Sequence, residues 1–197
     1  MTSELPFRVA VAIVFSATVA VAAYFRLQAA ASGEKISRKA EGYVFATVLR
    51  LAGLSLFLST LAYVLVPTSV QWAAVPLPDW FRWCGAISGG LSSLLMYWTL
   101  SSLGKNLTDT VVTRTEATLV THGPYRWVRH PFYVTTALLM ASVTVLSANG
   151  LIGLTCLLVL GLLAVRTPRE EQMLIERFGP QYRDYMSRTS RFLPWFR

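Results

Sequence analysis

The sequence predicts an all-α integral membrane protein of five transmembrane helices, followed by short cytoplasmic amphipathic helices at its C-terminal end. Three observations carry this. Of the 197 residues, 54% are apolar and 14% charged, where a soluble domain carries about 25% charged residues. The mean hydropathy is positive, at +0.48. Finally, uncharged runs of membrane-crossing length alternate with basic connections, the pattern of a chain threaded back and forth through lipid. The length allows one compact unit, with no room for a separate soluble catalytic domain beside the membrane body.

A bilayer hydrocarbon core is about 30 Å thick and needs about 20 helical residues at a rise of about 1.5 Å each. The first span is expected over about 7–27, around an uncharged run at 9–25. The second is expected over 43–66, with Arg50 reaching toward an interface. Pro67, Pro76 and Pro78 mark a loop that ends near Asp79. The third span follows at 82–104. The uncharged stretch 131–165 is too long for one span, and Ser147-Ala148-Asn149-Gly150 interrupts it. It is read as a tight hairpin of two spans, 131–147 and 150–165, turning at Asn149-Gly150. The whole chain, 1–197, is read as one membrane domain.

Charge orients these spans. Basic residues gather in 26–42 (Arg26, Lys35, Arg38, Lys39), in 105–130 (Lys105, Arg114, Arg126, Arg129) and in the tail from Arg166 to Arg197. The Pro67–Asp79 loop and the hairpin turn hold none. By the positive-inside rule the N-terminus lies outside and the tail in the cytoplasm. The net charge of +8 is thereby attributed to topology and to anionic lipid headgroups, not to nucleic acid. A cleaved leader over 1–31 is disfavoured by Glu4, the long apolar run and Arg26. No lipidation cysteine is expected near the end, Pro194-Trp195-Phe196-Arg197. Cys84 and Cys156, both inside apolar runs, are read as buried thiols, and no metal is expected.

Polar residues that could do chemistry concentrate in 105–133 and 166–197. In the first, Gly123-Pro124 marks a turn, and Pro131 suits the first turn of the fourth span because its missing N–H would be unpaired there. Arg129 and His130 then precede a helix N-terminus, whose free N–H groups favour an anion. Tyr125, Trp127, Phe132 and Tyr133 offer flat faces to an aromatic base or a cation. A juxtamembrane basic cluster with an aromatic belt accounts for much of the same segment. In the second, Thr167, Pro168 and Glu170 read as an N-cap, a first helical residue and a capping-box acid, with Gly179-Pro180 as the stop. Glu170 and Glu171 then complement a helix dipole, or one of them turns toward the first segment to hold hydroxyls or a cation. A short amphipathic helix is expected around 181–187, with Met173, Leu174, Phe178, Tyr182 and Met186 in packing roles. The sequence has no Ser-His-Asp order, no His-Glu-x-x-His and no Gly-rich phosphate loop. With only His122 and His130, a multi-histidine metal centre is excluded.

Together, these segments resemble the isoprenylcysteine carboxyl methyltransferase family. The resemblance runs from about Leu103 to Phe196, and the five-span size is similar to that of its compact microbial members. It rests on Leu-Val-Thr-x-Gly-x-Tyr (119–125), Arg-His-Pro-x-Tyr (129–133), Arg-x-x-x-Glu-Glu (166–171) and Phe-Gly-x-x-Tyr-x-x-Tyr (178–185), ending in Leu193-Pro194. It implies S-adenosyl-L-methionine as cofactor, held by Thr118, Leu119, Val120, Tyr125, His130, Pro131, Phe132, Tyr133 and Glu170, with Arg166 engaging the acceptor's carboxylate. Two positions depart from the family pattern. Ala117 stands where a histidine is common, and Thr110 where some members carry glutamine.

The implied activity is methylation of a lipophilic acceptor such as the C-terminal carboxylate of an S-prenylcysteine. Methyl transfer from a sulfonium to a carboxylate or thiolate needs little acid–base help, so catalysis would rest on alignment in a dry site. Three alternatives stay open from the sequence: another lipophilic amine, thiol or lipid acceptor; a sterol-type NADPH reductase; and a non-enzymatic membrane-surface binding protein. Oligomeric state is not legible.

Overall fold

The computed structural model describes residues 4–30, 42–104 and 118–194, which form six α-helices: α1 (Leu5–Ala30), α2 (Tyr43–Leu65), α3 (Asp79–Leu103), α4 (Pro131–Ser147), α5 (Gly150–Phe178) and α6 (Pro180–Arg188). No strand occurs among the described residues. The basic residues Lys35, Arg38, Lys39, Lys105 and Arg114, the family departures Thr110 and Ala117, and residues 195–197 lie outside them.

Local chemistry sets most boundaries. α2 ends at Val66, just before Pro67. Pro78 caps α3, and Asp79 puts a carboxylate in its first turn, where the helix dipole favours one. At the hairpin, Ala148 takes a left-handed conformation, with φ of 47°. The Asn149 side chain accepts from the N–H groups of Leu151 and Ile152 and so caps α5. Its amide also donates to the Val70 carbonyl at 2.9 Å, which ties the 67–78 loop to the turn.

α3 packs on α4 and α1, and α5 packs on α2 and α4. Small residues allow the closest approaches, as expected where lipid supplies no hydrophobic drive between helices. A Cβ on Gly85 would stand 2.9 Å from both the Leu146 nitrogen and the Ser142 oxygen, and one on Gly89 would stand 2.7 Å from Val14. Hydroxyls stitch the same interfaces, with Ser88 to Ser142 at 2.8 Å and Thr18 to Ser93 at 2.7 Å. Val11, Leu56, Leu146 and Ile152 lie in the main buried cluster. The outward faces remain apolar, with Val44, Leu94, Leu157 and Val165 all exposed. Helices α1, α2 and α5 are long and apolar enough to cross a bilayer, and α4 is a shorter apolar helix. The protein is an integral membrane protein.

Two expectations are corrected. Thr167 is not an N-cap and Pro168 does not begin a helix, because α5 runs unbroken from Gly150 to Phe178 with Pro168 inside it. The Thr167 hydroxyl donates back to the Leu163 carbonyl at 2.9 Å. Leu163, Thr167 and Glu171 are buried at four-residue spacing on one face, so packing carries the helix past a residue that removes one backbone donor. Cys84 is exposed and only Cys156 is buried, because α3 turns Cys84 away from the neighbours that Gly85 contacts.

Candidate active site

Three of the residues that the sequence set apart, His130, Tyr133 and Glu170, meet at the end of the bundle where α4 begins. Residues 118–122 lead into a 3₁₀ turn, Gly123–Arg126. Gly123 has φ of 59° and lies against Ser102 and Trp98, so a glycine is needed there for conformation and for space. Tyr125 is buried, and its carbonyl accepts from the Tyr185 hydroxyl at 2.6 Å. Burial first, and the nearby Glu170 charge second, push the Tyr125 hydroxyl pKa up. Trp127 packs edge-on against Trp98, and the Arg126 guanidinium lies over the Trp127 ring, 4.3 Å from its centroid.

α4 begins at Pro131 with His130 at the N-cap position. The His130 ring is buried and stacks on Tyr133, with centroids 5.4 Å apart and planes 7° from parallel. The Tyr133 hydroxyl donates to Glu170 Oε2 at 2.5 Å. His130 Nδ1 stands 4.0 Å from Glu170 Oε1, and Nε2 stands 3.3 Å from Glu171 Oε1. One imidazole thus lies between two adjacent carboxylates. They differ in environment: the Glu170 side chain is 26% exposed and that of Glu171 only 4%.

Glu171 is the buried hub. Besides His130 it takes Arg129 Nε at 2.9 Å and an Arg191 guanidinium nitrogen at 2.5 Å. It lies six residues beyond Val165, on the polar end of α5 that projects past the apolar span. Burial opposes its ionisation, but the hydrogen bonds from His130, Arg191 and Arg129 and the Arg129 charge outweigh burial and hold the carboxyl well below the usual range. The Arg129 guanidinium also donates to the Met186 and Thr189 carbonyls at the end of α6. The Arg129 and His130 backbone N–H groups donate to Ser190 and Arg191 carbonyls at 2.9 and 3.2 Å, so the tail lies strapped along the start of α4. Phe192 packs against His130 with centroids 5.9 Å apart.

Of the sequence-predicted residues, Tyr133, His130 and Glu170 meet directly. Pro131 is buried beside them and Phe132 contacts the Tyr133 ring at 6.0 Å. Tyr125 is joined to the cluster through Tyr185 and by charge to Glu170. Thr118 is exposed, Leu119 half-buried and Val120 buried on the segment leading to the turn. Arg166 is half-buried one helical turn before Glu170, a spacing that puts both on one face of α5. Sequence reasoning weighed Glu171 only as an alternative to Glu170 and did not single out Arg191. A sign of Glu171 was its four-residue register with Thr167 and Leu163, which the capping-box reading of Thr167 concealed. The arrangement offers a half-exposed carboxylate, a phenol and an imidazole to hydroxyl or cationic groups.

The family model for the isoprenylcysteine carboxyl methyltransferase (ICMT) family matches residues 90–176. Over this segment, a little under half of the chain, the sequence is similar to that family. It is 29% identical to a mouse protein-S-isoprenylcysteine O-methyltransferase over 132 residues, covering 66% of this chain and 47% of the relative. It is 36% identical to a Mycobacterium tuberculosis methanethiol S-methyltransferase over 84 residues, covering 41% of this chain and 32% of the relative. The chain therefore spans about half the length, or less, of the curated relatives it matches. Its fold is similar to the solved structure of the eukaryotic intramembrane Ras methyltransferase ICMT, with a TM-score of 0.51 at 23% identity, over 78% of this chain and 53% of that one. The matched segment contains Tyr133, His130, Arg166 and both glutamates of the cluster.

Proposed function

We propose that this protein is a membrane methyltransferase that uses S-adenosyl-L-methionine to methylate a lipophilic acceptor, such as the C-terminal carboxylate of an S-prenylcysteine. The observation that carries this reading is the Tyr133–Glu170 hydrogen bond with His130 stacked beside it, which unites the two family motifs across α4 and α5. The match to the ICMT family model and the names of the relatives support the methyl-transfer reaction.

The residues present fit this cofactor. It is a soluble cation with hydroxyls, an aromatic base and an amino-acid tail. Glu170 is exposed enough to accept from hydroxyl or ammonium groups, and Tyr125 and Tyr133 supply aromatic faces. Leu119 and Val120 would contribute backbone groups, with Thr118 beside them. When bound, the cofactor supplies an electrophilic methyl group on a sulfonium. Glu170 and Tyr133 hold and orient the donor, and the apolar helices exclude water. Arg166, a turn before Glu170 at the boundary of lipid and water, pairs with the acceptor's carboxylate and sets the line of attack. The acceptor's apolar tail stays among the spans.

Five crossings, with the N-terminus outside and the site cytoplasmic, complete the proposal. α3 is the least apolar crossing, yet exposed Trp80 and Trp83 at one end and Trp98 at the other form an aromatic pair of belts. They are separated by about 25 Å of helix, close to the thickness of a hydrocarbon core.

The test is calorimetric binding of S-adenosylmethionine to detergent-purified protein beside Glu170→Ala. Micromolar binding that the substitution weakens about tenfold, or about 1.4 kcal/mol, supports the reading. No binding by folded, monodisperse protein overturns it. Arg166→Ala is expected to raise acceptor KM or lower turnover while leaving cofactor affinity within about twofold; unchanged acceptor kinetics would remove Arg166 from the scheme. A second acceptor class, a small thiol, is favoured by the 36% identical methanethiol S-methyltransferase. A thiol acceptor would react without needing Arg166.

A further inference from the structure

From the geometry of the buried carboxylate we infer that Glu171 is a positioning residue for the donor site, acting through His130 and the C-terminal tail. This rests on the proposed binding of the methyl donor at Glu170 and Tyr133.

Glu171 itself is too enclosed to meet a ligand, its side chain being 4% exposed. One of the partners it holds, His130, borders the group that does. It accepts from His130 Nε2 at 3.3 Å. In the neutral ring this leaves Nδ1 as a lone pair, which faces Glu170 Oε1 at 4.0 Å. Two acceptors at that separation suit a shared hydroxyl or ammonium donor from a ligand. With the opposite tautomer, Nδ1–H would turn to Glu170 and compete for its carboxylate. The same ring is stacked on Tyr133, so the angle of His130 also sets the phenol that bonds Glu170.

The other two partners fix the tail. Arg129 joins Glu171 to the end of α6, and Arg191 closes over the second carboxylate oxygen. Residues 190–191 are thereby held along residues 129–130, and Phe192 against the outer side of His130. Glu171 thus joins three separate chain segments on one side chain. The Arg191 side chain is 43% exposed, so this contact is the most accessible place at which the strap could be loosened without disturbing the helices.

The experiment measures equilibrium binding of S-adenosylmethionine to the full-length detergent-purified protein, well below its melting temperature, for wild type, Glu171→Gln, Glu170→Ala and the double variant. Glu171→Gln is expected to weaken binding about tenfold in the wild-type background and less than about twofold in the Glu170→Ala background, because it acts through the Glu170 site. A role confined to general stability would lower the melting temperature and leave the affinity of the folded protein unchanged, which overturns the inference. Arg191→Ala breaks the same hub from its exposed side and serves if Glu171→Gln does not fold. It should weaken binding about threefold to fivefold, whereas Arg188→Ala, which removes only an exposed pair with Asp184, should leave it unchanged. If Glu170→Ala weakens binding and neither Glu171→Gln nor Arg191→Ala does, the positioning role fails while the donor site stands. If wild type itself does not bind, the donor-site reading is the one that fails.

Discussion

Single residues in this chain derive their roles from neighbours distant in sequence. Glu170 and Glu171 are adjacent, yet one is half-exposed beside Tyr133 and the other is buried under Arg129, His130 and Arg191. The 100° turn per residue of a helix is enough to point them at different surroundings. Arg82 makes the same point at the opposite end of the bundle. It is 4% exposed, meets Glu4 through two 2.8 Å bonds, donates to the Leu146 carbonyl at 3.1 Å and lies over the Phe7 ring. Composition presents it as a lone charge at the start of an apolar run, but its contacts make it a clamp joining the ends of α1, α3 and α4. Arg82→Ala is expected to cost about 2 kcal/mol, because a bidentate pair with half-exposed Glu4 and a buried carbonyl partner are lost together. Thermal unfolding in detergent checks this, and an unchanged midpoint would mean that the clamp contributes nothing net.

At the scale of elements, close packing rather than apolar matching holds the helices together. Gly85 admits α4 so tightly that a Cβ would meet backbone atoms, which cannot move aside as a side-chain end can. Gly85→Ala should therefore destabilise the protein by about 1–3 kcal/mol. Gly53→Ala, at a helical site with nothing within 4 Å, should stabilise it by up to about 1 kcal/mol through helix propensity. The opposite order in detergent melting would show that α3 and α4 are not packed this closely. α5 is the element that local sequence described least well. Thr167, Pro168 and Glu170 carry every mark of a helix start, but the burial of Leu163, Thr167 and Glu171 on one face makes a continuous helix the better solution. That continuity positions the site: a break at Pro168 would uncouple the orientation of Glu170 from the α4–α5 hairpin.

For the whole molecule, the apolar bundle is a scaffold that presents one polar end. Basic residues lie on alternate connections, and the candidate site lies at the end where α4 begins and α5 projects. The proposed topology predicts that a reporter fused after the tail reads out as cytoplasmic, and that a tag in the 67–78 loop reads out on the opposite side; both on one side would remove the odd number of crossings. The sequence by itself determined that the chain is a helical membrane protein, where most helices begin and end, where the hairpin turns, and which two polar segments carry the family motifs. Those are matters of hydropathy, proline and glycine geometry and caps, which act over a few residues. Only the tertiary structure decided that α5 runs through Pro168, that Cys84 faces outward, and that Glu171 pairs with Arg191 behind the candidate site. These depend on which side chains from distant segments fill the same space: the register with Leu163 and Thr167 marks Glu171 as buried, but nothing local marks the two guanidinium groups and the imidazole that it holds from two other segments.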